Sequence, residues 1–172
     1  MEKKIFERPY IKKIRAGMPS KFGKPVKIDP LPFIDDLPVE ELIKQYGSPL
    51  FVISEKTIRE TFRKAKMAFE TRYPRVQFAW SYKTNYLDAV CRIFHQEDAW
   101  AEVVSGFEYE KAEKNGVAGN KIIFNGPDKS KEDLERAIEH GSLIHIDHFD
   151  ELYEIMSLAP KTGKKAKVAI RV

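Results

Sequence analysis

Only one of the 172 residues is a cysteine, Cys91. A disulfide framework and a cysteine-based zinc site are therefore excluded within the chain. The neighbours Val90, Ile93 and Phe94 mark Cys91 as a buried small hydrophobe rather than a nucleophile. Long apolar runs are also missing: nothing approaches the roughly 20 residues that cross a bilayer, and Met1 to Phe6 lead into no hydrophobic signal core. The expectation is a cytoplasmic protein with no membrane partner. Neither sign of charge dominates, since 30 Lys+Arg against 26 Asp+Glu leave only +4. The basic residues are interspersed with acidic ones except near the N-terminus and at Lys161 to Lys167, so nucleic acid is not an expected partner. What remains, 42% hydrophobic and 33% charged residues, suits a single globular core.

Residues 1–36 read as an irregular basic arm. Lys3, Lys4, Lys12, Lys13, Arg15, Lys21, Lys24 and Lys27 lie among Pro9, Pro19, Pro25 and Pro30 without helical or strand period. Such an arm suits a solvated extension packing on another subunit better than a site for a phosphate-rich partner.

From residue 37 helices and strands alternate. Pro38, Glu40 and Glu41 open a short helix that stops at Gly47, because proline lacks a donor the first turn does not need and glycine tolerates a left-handed cap. Leu50 to Ile53 reads as a strand. Ser54 caps a helix whose apolar positions Ile58, Phe62, Ala65 and Phe69 recur at three and four residues, ending before Pro74. In the strand Val76 to Lys83, bulky Val76, Phe78, Trp80 and Tyr82 alternate with Gln77, Ala79, Ser81 and Lys83. One face packs on helices and the other meets something polar. Helices are then expected over 87–96, from Gly106 to Asn115, from the Ser130 cap with Asp133 to His140, and over 149–158. Strands are expected over 99–104, 121–125, 143–147 and 166–172.

Units of 20 to 25 residues imply parallel strands joined by right-handed crossovers. Spacing alone leaves open whether the sheet is doubly wound or part of a barrel, and the polar face of Val76 to Lys83 favours a barrel. Five parallel strands cannot close an eight-stranded barrel, and Val172 falls inside an apolar strand. The expectation is a fragment, or a chain that needs a partner, inactive by itself.

Lys83 ends its strand on the polar face, at the end where βα barrels build active sites. Held among Trp80, Tyr82 and barrel-lining groups it would lose solvation, which frees a neutral amine for imine formation. Arg171 shares a face with Lys167 and Ala169, and Glu102 is the expected ionic partner for it. Asn125 to Ser130 reads as a turn and cap in preference to an anion site. His145 and His148 lack the further ligands a metal needs, so no metal is expected.

Six strings stand in one order: Tyr46 to Val52 (YGSPLFV), Trp80 to Asn85 (WSYKTN), Ala101 to Gly106 (AEVVSG), Ile122 to Ser130 (IIFNGPDKS), His145 to Leu152 (HIDHFDEL) and Val168 to Val172 (VAIRV). Together they resemble the fold-type III pyridoxal-phosphate-dependent decarboxylases, of which diaminopimelate and ornithine decarboxylases are members, from about Leu42 onward. That resemblance implies an α/β fold, the first part of a (β/α)8 TIM-type barrel of the alanine-racemase-like kind. It also implies a pyridoxal 5′-phosphate cofactor, an amino-acid substrate and a homodimer with shared active sites. By the same resemblance Lys83 is the Schiff-base lysine, Ser81 lines the cofactor ring and Arg171 lies near the pyridoxal. Glu102 stands where the family usually carries aspartate, one methylene shorter. Phe107 stands where a second glycine is usual, which brings into question the turn after Ser105. The resemblance places the phosphate site and the substrate-recognising loops beyond Val172. A racemase or a non-catalytic pyridoxal-phosphate-binding protein shares the barrel, and a non-enzymatic interaction fragment is the remaining alternative. The strings Ala101 to Gly106 and Glu151-Leu152 favour a decarboxylase.

Overall fold

The apolar alternation that the sequence carries becomes, in the computed structural model of residues 30–73 and 75–172, a parallel sheet with helices over one face. Residues 1–29, most of the basic arm, lie outside the described residues. The chain divides into two units, Met1–Phe51 and Val52–Val172.

In the first unit, β1 (Phe33–Ile34) pairs antiparallel with β2 (Leu37–Pro38). The last residues of the arm are thus a two-residue hairpin rather than irregular chain. Asp35 and Asp36, at φ 48° and 67°, supply the positive dihedrals that a tight hairpin turn demands. Helix α1 (Val39–Tyr46) follows and stops at Gly47, whose φ is 85°. Leu50 to Ile53, expected as a strand, joins no sheet among the described residues, and Phe51 is 96% exposed. An apolar run supplies β propensity, but it becomes a strand only where it pairs with another.

In the second unit the elements are α2 (Glu55–Glu70), β3 (Ala79–Ser81), α3 (Asp88–Gln96), β4 (Trp100–Val103), α4 (Gly106–Lys114), β5 (Ile122–Phe124), α5 (Lys131–His140), β6 (Leu143–Ile146), α6 (Phe149–Thr162) and β7 (Lys167–Ile170). The strands are parallel and stand in the order β3-β4-β5-β6-β7. That order decides between the two architectures. A doubly wound sheet reverses direction once, whereas right-handed crossovers always stepping the same way keep every helix on one face, as in a barrel wall.

The core lies between the sheet and those helices. Ala101, Val103, Ile122, Phe124 and Ile144 are fully buried against Ala112, Leu134, Ile138 and Leu158. The bulky residues around β3 turn to the same side. Trp80 stacks on Phe94 with centroids 3.8 Å apart, and Phe78 meets Phe62 and Phe69 edge-on. Side-chain oxygens or nitrogens at Ser54, Ser105, Ser130 and His148 accept the N–H three residues on, so four helices start at a polar cap. Helix α6 runs past the expected end at Leu158, with Pro160 tolerated in its last turn, and Gly163, at φ 66°, closes it.

Candidate active site

Parallel strands bring their carboxyl ends together, and the residues that follow each strand form one rim. The face turned away from the helices carries Ser81, Glu102, Ile123, Leu143 and Lys167 in register across the five strands. One step toward the rim come Lys83, Asn125, His145 and Ala169 at the matching alternation, with Arg171 beyond.

Lys83 lies in the turn directly after β3 and is exposed. Trp80 and Tyr82, expected around its amine, alternate to the helix side, so the desolvation they were to provide is not supplied by them. Tyr82 instead anchors the turn that carries Lys83. Its hydroxyl meets His95 Nε2 at 2.9 Å, and His95 Nδ1 faces the Ala99 carbonyl at 2.9 Å. A carbonyl only accepts, so Nδ1 bears the proton and Nε2 accepts from Tyr82. Burial drives the His95 pKa down and the Tyr82 pKa up, which keeps this pair neutral.

Glu102 accepts from Asn125 Nδ2 at 2.8 Å, and Arg171 Nη1 lies 2.9 Å from Asp147 Oδ1. The expected Glu102–Arg171 pair is therefore not formed. The two residues stand on strands three steps apart, roughly 14 Å along a sheet, while Asp147 ends the strand adjacent to Arg171. Ser81 Oγ and Asn125 Oδ1 are buried without a hydrogen-bond partner among the described residues.

Two further carboxylates frame the rim. Glu108 Oε2 accepts from the Val104 N–H at 2.9 Å. Burial raises its pKa, with Glu102 acting in the same direction and Lys83 opposing. Glu151 accepts from the Asp147 N–H through Oε2 and from Lys129 through Oε1 at 2.5 Å. The Lys129 and Glu151 side chains are 0% and 2% exposed, and Lys129 Nζ also donates to the carbonyls of Gly126 and His145. The turn and cap read at Asn125 to Ser130 are present, with Ser130 capping α5, but they enclose this buried ion pair as well. His145 has its pKa lowered, by burial first and by Lys129 and Arg171 next, with Glu102 opposing. No cluster of three metal-ligating side chains exists among the described residues. Phe107 sits in the first turn of α4, 63% exposed and edge-on to Tyr86.

Sequence reading took Asn125 only as part of a turn, and missed its side-chain contact with Glu102 and the Lys129–Glu151 pair. Asn125 was within reach, since it lies two residues beyond Ile123 on the same face. Lys129 carries no such signal, because its partner stands 22 residues away on α6.

The pyridoxal-binding domain of the pyridoxal-dependent decarboxylases matches residues 55–172. Diaminopimelate decarboxylase of Methanocaldococcus jannaschii is 34% identical over 145 residues, which are 81% of this chain and 33% of that protein. The Aquifex aeolicus enzyme of the same name is 31% identical over 141 residues, with 81% and 33% covered. The crystal structure of the M. jannaschii diaminopimelate decarboxylase in complex with L-lysine superposes with a TM-score of 0.73 at 33% identity, over 81% of this chain and 33% of that one. The chain thus spans about one third of the length of these relatives. No helix among the described residues is long and apolar enough to cross a membrane.

Proposed function

The chain belongs to the pyridoxal-dependent decarboxylases, whose pyridoxal-binding domain it carries, and from that premise we propose that it supplies the cofactor-attaching part of an amino-acid decarboxylase acting on diaminopimelate or a similar diamino acid. The supporting observation is the meeting of Lys83, Ser81, Glu102 and Asn125 on one face at the carboxyl ends of neighbouring strands. Two buried polar atoms there, Ser81 Oγ and Asn125 Oδ1, still want partners. Buried polar groups are costly when unpaired, so a polar ligand fits this donor set.

Lys83 is the attachment residue in this reading. Among the described residues its amine makes no hydrogen bond or ion pair, so nothing has to be broken before it reacts. The turn that carries it is fixed from below by Tyr82 and His95. Ser81 borders the ring, and Glu102, held by Asn125, presents a carboxylate whose orientation is set before ligand arrives. Asp147 holds the Arg171 guanidinium at the rim, and the Asp147 backbone is in turn held by Glu151. Bound pyridoxal 5′-phosphate supplies the electron sink for the pair left when carbon dioxide departs. The names of the relatives support diaminopimelate as the first substrate to try, and the resemblance supports a cytoplasmic homodimer.

The test is carbon dioxide release from diaminopimelate, ornithine, lysine and arginine by the full gene product with added pyridoxal 5′-phosphate. Release that falls to background in Lys83→Ala is expected. Release unaffected by that change, or racemisation without release, contradicts the proposal.

A further inference from the structure

Asn125 occupies a constrained place. Its backbone N–H donates to the Val103 carbonyl at 2.7 Å, extending the ladder beyond β5. The next residue, Gly126, lies so close to β4 that a Cβ there would stand 2.1 Å from the Val104 carbonyl oxygen. The backbone at Asn125 is therefore pinned against its neighbour and cannot withdraw the side chain. The orientation of the amide is fixed by charge. An ionised Glu102 only accepts, so the atom facing it at 2.8 Å is Nδ2 and the other, Oδ1, points elsewhere. That oxygen is buried and has no partner among the described residues, and the same holds for Ser81 Oγ on the far side of Glu102, one strand away from it. Most buried polar atoms in a folded protein find a partner, so two left without one on the same face point to a ligand.

We propose that Asn125 contacts the bound ligand, its Oδ1 accepting a hydrogen bond from an N–H or O–H group of the cofactor–substrate pair while its Nδ2 fixes Glu102. The inference rests on the reading of Lys83 as the attachment residue. Asn125 thereby acts twice: as a direct contact, and as the positioning residue for the carboxylate beside it. Ser81 supplies the neighbouring contact, so the ligand is gripped from the strands on both sides of β4.

The experiment loads the full gene product with pyridoxal 5′-phosphate and records the visible absorbance band and the dissociation constant for wild type, Asn125→Leu and Lys83→Ala. In Asn125→Leu the band maximum shifts and the dissociation constant rises about tenfold, equivalent to about 1.4 kcal/mol. A purely structural role would lower occupancy without moving the band. An unchanged maximum, with or without a loss of affinity, overturns the proposal while leaving the Lys83 reading intact. A band that persists in Lys83→Ala overturns both. Should Asn125→Leu fail to fold, the wild-type Asn125 side-chain NH2 signals decide by NMR. Displacement of those signals on adding pyridoxal 5′-phosphate supports the contact, and signals that do not move overturn it.

Discussion

Tyr82, buried behind the turn that carries Lys83, anchors that turn through the hydroxyl it donates to His95. Tyr82→Phe removes one oxygen and leaves His95 Nε2 and one Asn115 N–H without their partner. A loss of about 1–2 kcal/mol in chemical denaturation is expected, and no loss would show that the hydroxyl is dispensable. The Lys129–Glu151 pair carries more. Lys129→Met strands a buried carboxylate, and Glu151→Gln weakens the hold on Lys129. Breaking such a pair from one side costs about 3–5 kcal/mol, and changing both together should cost less than the sum of the single changes. Additive losses in that cycle would mean that the two groups do not interact. At this scale the sequence was a good guide to which face a residue takes and a poor one to its partner. Alternation along 76–83 placed Ser81 and Lys83 opposite Trp80 and Tyr82. Glu102 and Arg171 share the inner face as expected, yet sheet spacing gives each a nearer partner.

Between elements, Glu97 at the end of α3 binds α2 through Arg59 and Arg63 at 2.6–2.8 Å. The guanidinium of Arg63, then that of Arg59, holds the Glu97 carboxyl down to about 2 from an ordinary value of 4.5. A pKa depressed in the folded state contributes stability that is present above the ordinary value and lost as pH falls through the folded one. Unfolding midpoints should therefore fall between about pH 4.5 and 2, and Glu97→Gln should flatten that part of the curve. An identical slope in the variant would assign the acid sensitivity elsewhere. Helix starts were the most legible elements, because Ser54 and Ser130 carry their own capping chemistry in the sequence. The hairpin at Asp35-Asp36 was not, since two aspartates without glycine are a weak signal for left-handed backbone. Leu50 to Ile53 misled for a different reason: strand propensity is local, and pairing is not.

Over the whole molecule, the decisive feature is the unbroken strand order from β3 to β7. Sequence spacing announced parallel βα units but could not distinguish a barrel wall from a doubly wound sheet, because that difference lies in the direction of each crossover. The order of strands resolves it, and places Lys83, Asn125, His145 and Arg171 along one rim. A site assembled from the ends of separate strands is legible in sequence only as scattered residues, which is why the motif order of a family reveals it better than any single string. The most direct measurement of the central claim is borohydride reduction of the protein loaded with pyridoxal 5′-phosphate, followed by peptide mass spectrometry. The phosphopyridoxyl group should be found on Lys83 and should vanish in Lys83→Ala; attachment to Lys129, Lys167 or another lysine in its place would contradict the account.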